Sequence, residues 1–476
     1  MAACQFLALL ERCWQGIRVH LNGTMKKNDT TIVILAAGRG TRMKSSLPKV
    51  LHEAAGRPLL GHVVEISKAV DPSGIVVVVA PSMDDVAKYA QSLGDFVQTC
   101  VQAAPKGTGD AARSALELVP SDPGTVVFFN GDTALIEPET IKAMCDACSA
   151  GAAVTVLGFE AADPTNYGRL VCDAGGAPLR IVEEKDASAE ERKLTLCNGG
   201  AMAIAREHFH DLLGSLSESP ASGEYYITEL PELARAKGLR CAAIVRPEAE
   251  IFGVDSREDL AFAESVLQSK LRKKFLNDGV TLRDPESVYF CMDTEIGRDV
   301  VIEPNVVFGP GVSIGDTVTI KAFSHLEGAS VGEGCSVGPF ARLRPGTALG
   351  EGAKIGNFVE TKKASIEAGA KVSHLTYIGD ARVGADANIG AGTITCNYDG
   401  FNKHFTDIGA GAFVGSNSSL VAPVKVGDGA YVGSGSVVTR DVEADALAVA
   451  RGQQAEKPGW AARFRKAQQA RKAKKD

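Results

Sequence analysis

The sequence has no long hydrophobic run. Its longest apolar stretches, such as Ile75–Pro81, fall far short of the roughly 18 residues that cross a bilayer, so no membrane insertion is expected. A disulfide framework is missing as well. Eleven cysteines are scattered from Cys4 to Cys396 without a repeating spacing, and an odd number in a long chain points to a reducing, cytoplasmic setting. The one CxxC, Cys145 and Cys148, has no second pair or nearby histidine and lies in an Ala-rich helical stretch, so it reads as helix filling rather than a metal or redox site. Residues 1–24 carry a short apolar run, Phe6–Leu10, but no basic segment before it and no small-residue cleavage site after it. They read as an extension, disordered or artefactual, ahead of Met25. Basic excess is absent too: the net charge of −7 argues against a nucleic-acid partner. Only residues 451–476, with nine Lys/Arg against two Asp/Glu, are basic, and they read as a solvated, mobile tail.

What the chain holds in excess is glycine, 51 of its 476 residues, and 25 of them lie between 296 and 440. Within that stretch an aliphatic or aromatic residue, often followed by Gly, recurs every six positions: Ile296, Ile302, Phe308, Ile314, Ile320, Leu326. The phase slips by one, resumes at Val331, Val337, Leu343, Leu349 and Ile355, and runs again from Ile408 through Val414, Leu420, Val426 and Val432 to Val438. A period of six is neither that of a helix nor that of a strand. It is the hexapeptide repeat of a parallel β-helix, three hexads to a coil, with the aliphatic position inward and the following small residue allowing the turn. Thr395–Asp407 breaks the period with Asn-Tyr-Asp-Gly turn chemistry and reads as a binding loop. Narrow prisms of this kind have flat faces that favour side-by-side oligomers.

The preceding part alternates short apolar strands (Thr31–Leu35, Ile75–Ala80, Val126–Asn130, Val154–Phe159, Ala201–Ala205) with helical stretches, which predicts an α/β three-layer domain with a mainly parallel sheet. Ser256–Leu276 has helical spacing, with Ser256 as N-cap and Asn277-Asp278-Gly279 as a stop, and predicts a connecting helix. After the first strand comes LAAGRGTRMKSSLPKVLH, residues 35–52. Gly38 and Gly40 can bring backbone N–H groups to a phosphate, Arg42 can fork onto its oxygens, and Lys49 adds a point charge. The string is not a Walker A loop, since GK[ST] is absent, nor a dinucleotide fingerprint, since Met43 replaces the third Gly. Asp132, at the end of a strand, reads as a ligand-site carboxylate. Taken singly, Asp132 could be a helix N-cap and Lys49 a surface charge.

On the GxGTRM…PK string the chain resembles the sugar-nucleotidyltransferases, and its domain order resembles the bifunctional uridyltransferase/acetyltransferase family of bacterial UDP-N-acetylglucosamine synthesis. The resemblance runs from Met25 to about Lys466. It implies a Rossmann-like nucleotidyltransferase domain at 25–255, a helical linker at 256–279, a left-handed parallel β-helix acetyltransferase domain at 280–450 and the tail at 451–476. It also implies that Leu35, Ala36, Ala37, Gly38, Arg42 and Lys49 wrap the nucleotide phosphates, with Arg42 and Lys49 catalytic, and that Gln102, Gly107 and Thr108 hold uracil. Asp132, in Asn130-Gly131-Asp132, and Asp255 would bind Mg2+; Gly168, Glu183 and Asn198 would contact the sugar. Two positions depart from the family pattern: Asp255 stands where asparagine is usual, and Asn130 where tyrosine is common. The implied reaction is in-line attack of a sugar-1-phosphate oxygen on the α-phosphorus of UTP, with Mg2+, Lys49 and Arg42 neutralising charge.

In the repeat, Arg344, Lys362, His374, Tyr377 and Asn388 are spaced about a coil apart and could stack on one side of the prism. A lone histidine is more often a surface or packing residue. The resemblance makes His374 the general base that deprotonates glucosamine-1-phosphate as it attacks acetyl-CoA. Arg344 and Lys362 would bind its phosphate, and Tyr377, Asn388, Asn397 and Tyr398 would complete the pocket. Acetyl-CoA would meet Ala391, Ser416, Ser434 and Arg451, with Asn397 and Tyr398 bordering it. Cys396, beside the loop, has no required role. The resemblance implies a homotrimer with this site between subunits, feeding N-acetylglucosamine-1-phosphate to the first domain for peptidoglycan and lipopolysaccharide synthesis. Two alternatives remain: a single-activity nucleotidyltransferase with a regulatory β-helix, which would not need the His374 set, and a non-catalytic nucleotide-exchange scaffold, which would not need Lys49, Asp132 and Asp255.

Overall fold

The computed structural model describes residues 29–219 and 223–472; the 1–24 extension lies outside them. The chain divides into two compact units, up to Ser269 and from Lys270 onward.

The first unit is built on nine strands: β1 (Thr30–Leu35), β2 (Gly74–Val79), β3 (Val97–Val101), β4 (Thr125–Asn130), β5 (Val154–Glu160), β6 (Arg169–Cys172), β7 (Pro178–Val182), β8 (Leu196–Ala205) and β9 (Cys241–Val245). Their order is β9-β5-β8-β4-β1-β2-β3, with the β6–β7 hairpin attached to β8. β1 runs parallel to β2 and β4, whereas β8 is antiparallel to both of its neighbours, so the sheet is mixed. Strand alternation divides the core in two. Ile32, Ile34, Val77, Val127 and Phe129 pack under helices Leu59–Lys68, Asp84–Ser92 and Pro138–Ser149. Val33, Val76, Val78, Val126 and Phe128 pack under Thr108–Ser114, Arg206–Gly214 and Leu230–Ala236. With both faces covered, ligands are left the strand ends, and the order switches direction between β1 and β4. Cys145 and Cys148 are free thiols within Pro138–Ser149, and burial pushes Cys148 up to about 11.

Helix Arg257–Asn277 opens on a reciprocal cap: Ser256 Oγ accepts the Asp259 N–H at 3.2 Å, while the Asp259 carboxylate accepts the N–H groups of Ser256 and Asp255 at 2.7 and 3.0 Å. From Thr281 to Ala448 the second unit is a 22-stranded coil in which most strands pair in parallel with the third strand onward. Ile302, Ile320, Val337, Ile355, Val372, Ile389, Val414 and Val432 form one internal ladder and none is more than 2% exposed. The first full coil of this ladder carries Ile302 to Ile320, and the next, from Ile320 to Val337, is shorter because it contains the slip between Leu326 and Val331. The interruption lengthens a later coil, so that Val383 finds its partner only at Ile408. Glycine after the aliphatic position serves a different purpose from the turn expected. A Cβ on Gly390 would lie 2.5 Å from the Ser416 nitrogen, and one on Gly415 2.4 Å from Ser434 N, so it is the next coil that excludes a side chain. The basic tail forms a helix, Trp460–Lys472, with no buried residue.

Ile355→Ala deletes most of a side chain that is 1% exposed in this narrow core. It is expected to cost about 2–5 kcal/mol, read as a fall in the unfolding midpoint of the second unit in denaturant.

Candidate functional site

At the switch between β1 and β4 lies a cleft of about 1010 Å³ lined by Leu35, Ala36, Ala37 and Gly38 from the first loop, with Lys49, Gln102, Gly107, Thr108, Asn130, Asp132 and Asp255. Leu35 and Asn130 are register partners at the ends of the two strands, and Gly131 N–H donates to Leu35 O at 2.9 Å, so the two loops start from one level of the sheet. Gln102 is buried, its amide donating to Gly107 O at 3.1 Å and Asp110 at 2.9 Å. Gly107 has φ +91°, and a Cβ there would lie 2.5 Å from Tyr225 O. Glycine is therefore needed both for the conformation and for the close approach.

The cleft floor carries the main charges. The Lys49 ammonium donates to Asp132 and, at 2.8 Å, to Asp255, whose other oxygen pairs with Arg42 at 2.9 Å. Burial works against the ammonium, but Asp132 and then Asp255 outweigh it and hold the Lys49 pKa above its ordinary value. Asp132 and Lys49 are therefore neither a bare N-cap nor a surface charge. Two carboxylates from different segments converge on one cation. Oxygen-only donors of this kind, with room for phosphate and water beside them, fit Mg2+, which usually takes one or two protein carboxylates. Among the described residues no group of three or more His, Cys, Asp or Glu offers a competing metal site. The cap at Asp259 holds the Asp255 backbone, and Arg257 donates to Met43 O at 3.3 Å, tying that segment to the GTRM loop.

A second cleft of about 640 Å³ shares Leu35, Thr108, Asn130 and Tyr226 with the first and adds Glu183 and Asn198. Gly168 belongs to the same wall: its carbonyl accepts the Asn198 N–H at 2.8 Å, and a Cβ on it would lie 3.5 Å from a Glu183 oxygen. Burial raises the Glu183 carboxyl above its ordinary value. Tyr226, which lines both clefts beneath the Lys185 ammonium at 5.6 Å from its ring, escaped sequence analysis. Only its place in the Glu224-Tyr225-Tyr226 run could have signalled it.

In the second unit the expected residues fall into separate ladders. Leu343 pairs with Thr361, which sets Arg344 beside Lys362, and Arg344 also pairs with Glu360 at 2.7 Å. His374 pairs with Asn357, Tyr377 with Glu360, and Asn388 with Lys371. The expected single-sided stack therefore holds for Arg344, Lys362 and Tyr377, whose hydroxyl lies over Gly379, the register partner of Lys362, whereas His374 and Asn388 fall elsewhere because the intervals from Lys362 to His374 and from His374 to Asn388 fall short of a whole coil. The predicted acetyl-CoA positions do share one corner. Asn417 N–H donates to Ala391 O at 2.7 Å, Gly435 N–H to Ser416 O at 2.8 Å, and the Arg451 guanidinium to Ser434 O at 2.6 Å. In the interrupting loop, Asn397 is buried and donates to Asp380, while Tyr398 is exposed and its hydroxyl donates to Gly400 O at 2.6 Å. The N–H groups of Asn402 and Phe401 and the His404 ring converge on Asp399 and pull its pKa well below the usual range. This pins the loop.

A charged cleft at the switch point of an α/β sheet, followed by a hexapeptide coil, defines a nucleotidyltransferase joined to a hexapeptide transferase. Residues 32–212 match the model of the MobA-like NTP transferase domain, and residues 293–328 and 405–440 match that of the bacterial transferase hexapeptide (six repeats). The chain is 59% identical to the bifunctional protein GlmU of Parvibaculum lavamentivorans over 92% of its length and 97% of the relative's. Identity to the bifunctional protein GlmU is 53% for Paramagnetospirillum magneticum (95% of this chain, 100% of the relative) and 54% for Azorhizobium caulinodans (93% and 99%). The chain belongs to the bifunctional GlmU family. No helix among the described residues is long and apolar enough to cross a membrane.

Glu183 gives a pH-dependent expectation. A carboxyl whose pKa is raised on folding stabilises the fold when protonated, and that contribution is lost as pH rises through the folded value. Glu183→Gln should therefore raise the unfolding temperature of the first unit at pH 7 and change it little near pH 4, as read in parallel melts.

Proposed function

We propose that the protein acetylates glucosamine-1-phosphate with acetyl-CoA in its second unit, and in its first transfers UMP from UTP to the resulting N-acetylglucosamine-1-phosphate. The products are UDP-N-acetylglucosamine and pyrophosphate, supplied in the cytoplasm to peptidoglycan and lipopolysaccharide synthesis. The observation that carries the reading is the convergence of Asp132 and Asp255 on Lys49 in a nucleotide-sized cleft. A nucleotide-exchange scaffold would have no use for that arrangement. In uridylyl transfer the sugar phosphate oxygen attacks the α-phosphorus and the bond to the β-phosphate breaks. Asp132 and Asp255 would hold Mg2+, which when bound neutralises phosphate charge. Lys49 and Arg42 hold the phosphates, Gln102 with Gly107 and Thr108 meets the uracil, and Glu183, Asn198 and Gly168 orient the sugar.

In acetyl transfer the glucosamine nitrogen attacks the thioester carbonyl, His374 takes the amine proton, and the thiolate of CoA leaves. Arg344 and Lys362 bind the sugar phosphate, and Tyr377 and Asn388 close the pocket. The corner of Ala391, Ser416, Ser434 and Arg451, with Asn397 and Tyr398, receives acetyl-CoA. A homotrimer unites ladders that one chain keeps apart. It is supported by a ladder of exposed rings, Phe323, Phe340 and Phe358, stacked 5.0 and 5.1 Å apart beside Leu375, which is 63% exposed. All four residues hold φ between 51° and 59°, an uncommon conformation for bulky side chains that gains its reward when the stripe is covered.

His374→Ala should abolish CoA release with glucosamine-1-phosphate and leave pyrophosphate release from UTP and N-acetylglucosamine-1-phosphate unchanged, and Asp132→Ala should do the reverse. Joint loss of both activities in a folded protein would sink the two-site assignment. Phe340→Glu should convert the trimer to lower-mass species in light scattering; a trimer that survives it would place the interface elsewhere.

A further inference from the structure

The His374 ring makes one side-chain hydrogen bond among the described residues: Nδ1 lies 2.6 Å from Oδ1 of Asn357. The two residues are register partners on β10 (Lys354–Ile366) and β11 (Lys371–Val383), one coil apart. Each is followed by a residue forced to positive φ, Phe358 at 55° and Leu375 at 51°, so both side chains leave successive coils at the same corner. A neutral amide oxygen accepts only, so with Oδ1 as its partner Nδ1 carries the proton and Nε2 is left with the lone pair.

We infer that Asn357 is a positioning residue for acetyl transfer: it fixes the His374 tautomer and ring orientation so that Nε2 is the proton acceptor. This rests on His374 being the base. A carboxylate could orient the ring equally well, but it would stabilise the imidazolium and move the onset of its activity as a base to higher pH. An amide orients without adding charge. The nearest ionisable groups along the two strands stand three residues away on either side and pair with each other, Lys354 with Lys371 and Glu360 with Tyr377.

The test compares Asn357→Ala, Asn357→Asp and His374→Ala in the full-length protein, with uridylyl transfer and melting temperature as controls for folding. Asn357→Ala should lower kcat for acetyl transfer about 10- to 100-fold with little change in KM. Asn357→Asp should retain more activity but shift the acidic limb of the kcat profile upward by about one pH unit. An unchanged kcat in the alanine variant, or an unshifted profile in the aspartate variant, overturns the inference while leaving His374 as the base. Full acetyl transfer in His374→Ala would instead overturn the reading on which it rests.

Discussion

Parallel strands in register stack at about 4.8 Å, and in the second unit every coil must meet that spacing with the coils on either side. Most of what is distinctive there follows from this requirement. One aliphatic side chain per face and coil fills the interior, as in the ladder from Ile302 to Val432. The residue after it loses its side chain because the neighbouring backbone occupies that space, as at Gly390 and Gly415. The chain then rounds each corner in a left-handed backbone conformation, even where the corner residue is phenylalanine. Interior positions are thus committed to packing, and polar groups are left the outward-facing strand positions, the corners and the inserted loop. The corner of Ala391, Ser416 and Ser434 and the corner of Asn357 and His374 are both products of that confinement.

The first unit obeys a different constraint with a comparable result. Its sheet is covered on both faces, so polar groups collect where the strands end. Leu35 and Asn130 terminate adjacent parallel strands, and the loops that follow them must diverge, which opens the cleft. Lys49 then bridges carboxylates delivered by two loops far apart in sequence. That bridge makes the loops a single electrostatic unit, so moving any one of the three side chains alters the other two.

The parts legible in the sequence were those with one residue type at one fixed spacing. The hexad survives the one-residue slips of the coils that start at Ile320, Ile355 and Val372, because the inward ladder from Ile302 to Val432 runs through them unbroken. The phosphate loop shows because it follows a strand of uninterrupted apolar residues. Four strands escaped: β3 and β9, the two edges of the sheet, where only the first residue of each is buried, and the short β6–β7 hairpin attached to β8, so in all four the apolar pattern is weak. β8 was legible as a strand but not as antiparallel, since pairing direction is settled by neighbours and leaves no local mark. Asn357 was illegible for a related reason. Its partnership with His374 depends on the exact length of the coil between them, which is shorter than three full hexads, and a coil without that slip would have set a different side chain beside the ring.

Aspartate at position 255 illustrates how a single departure from a family pattern is taken up by its surroundings. An asparagine there would leave Asp132 as the one carboxylate facing Lys49. The second carboxylate instead recruits the guanidinium of Arg42, which is otherwise 72% exposed, so two anions and two cations balance at the cleft floor. Arg42 is thereby held over the cleft before any nucleotide arrives, and ordering a long side chain in advance lowers the entropy lost on binding phosphate. The same pairing has an opposing effect, because a phosphate must compete with Asp255 for both Arg42 and Lys49. If Asp132 and Asp255 hold a divalent cation as proposed, it would occupy the carboxylates and leave the two side chains to phosphate. Nucleotide and metal binding are therefore expected to be more tightly coupled with aspartate at this position than with the neutral amide, since each ligand removes the charge that opposes the other.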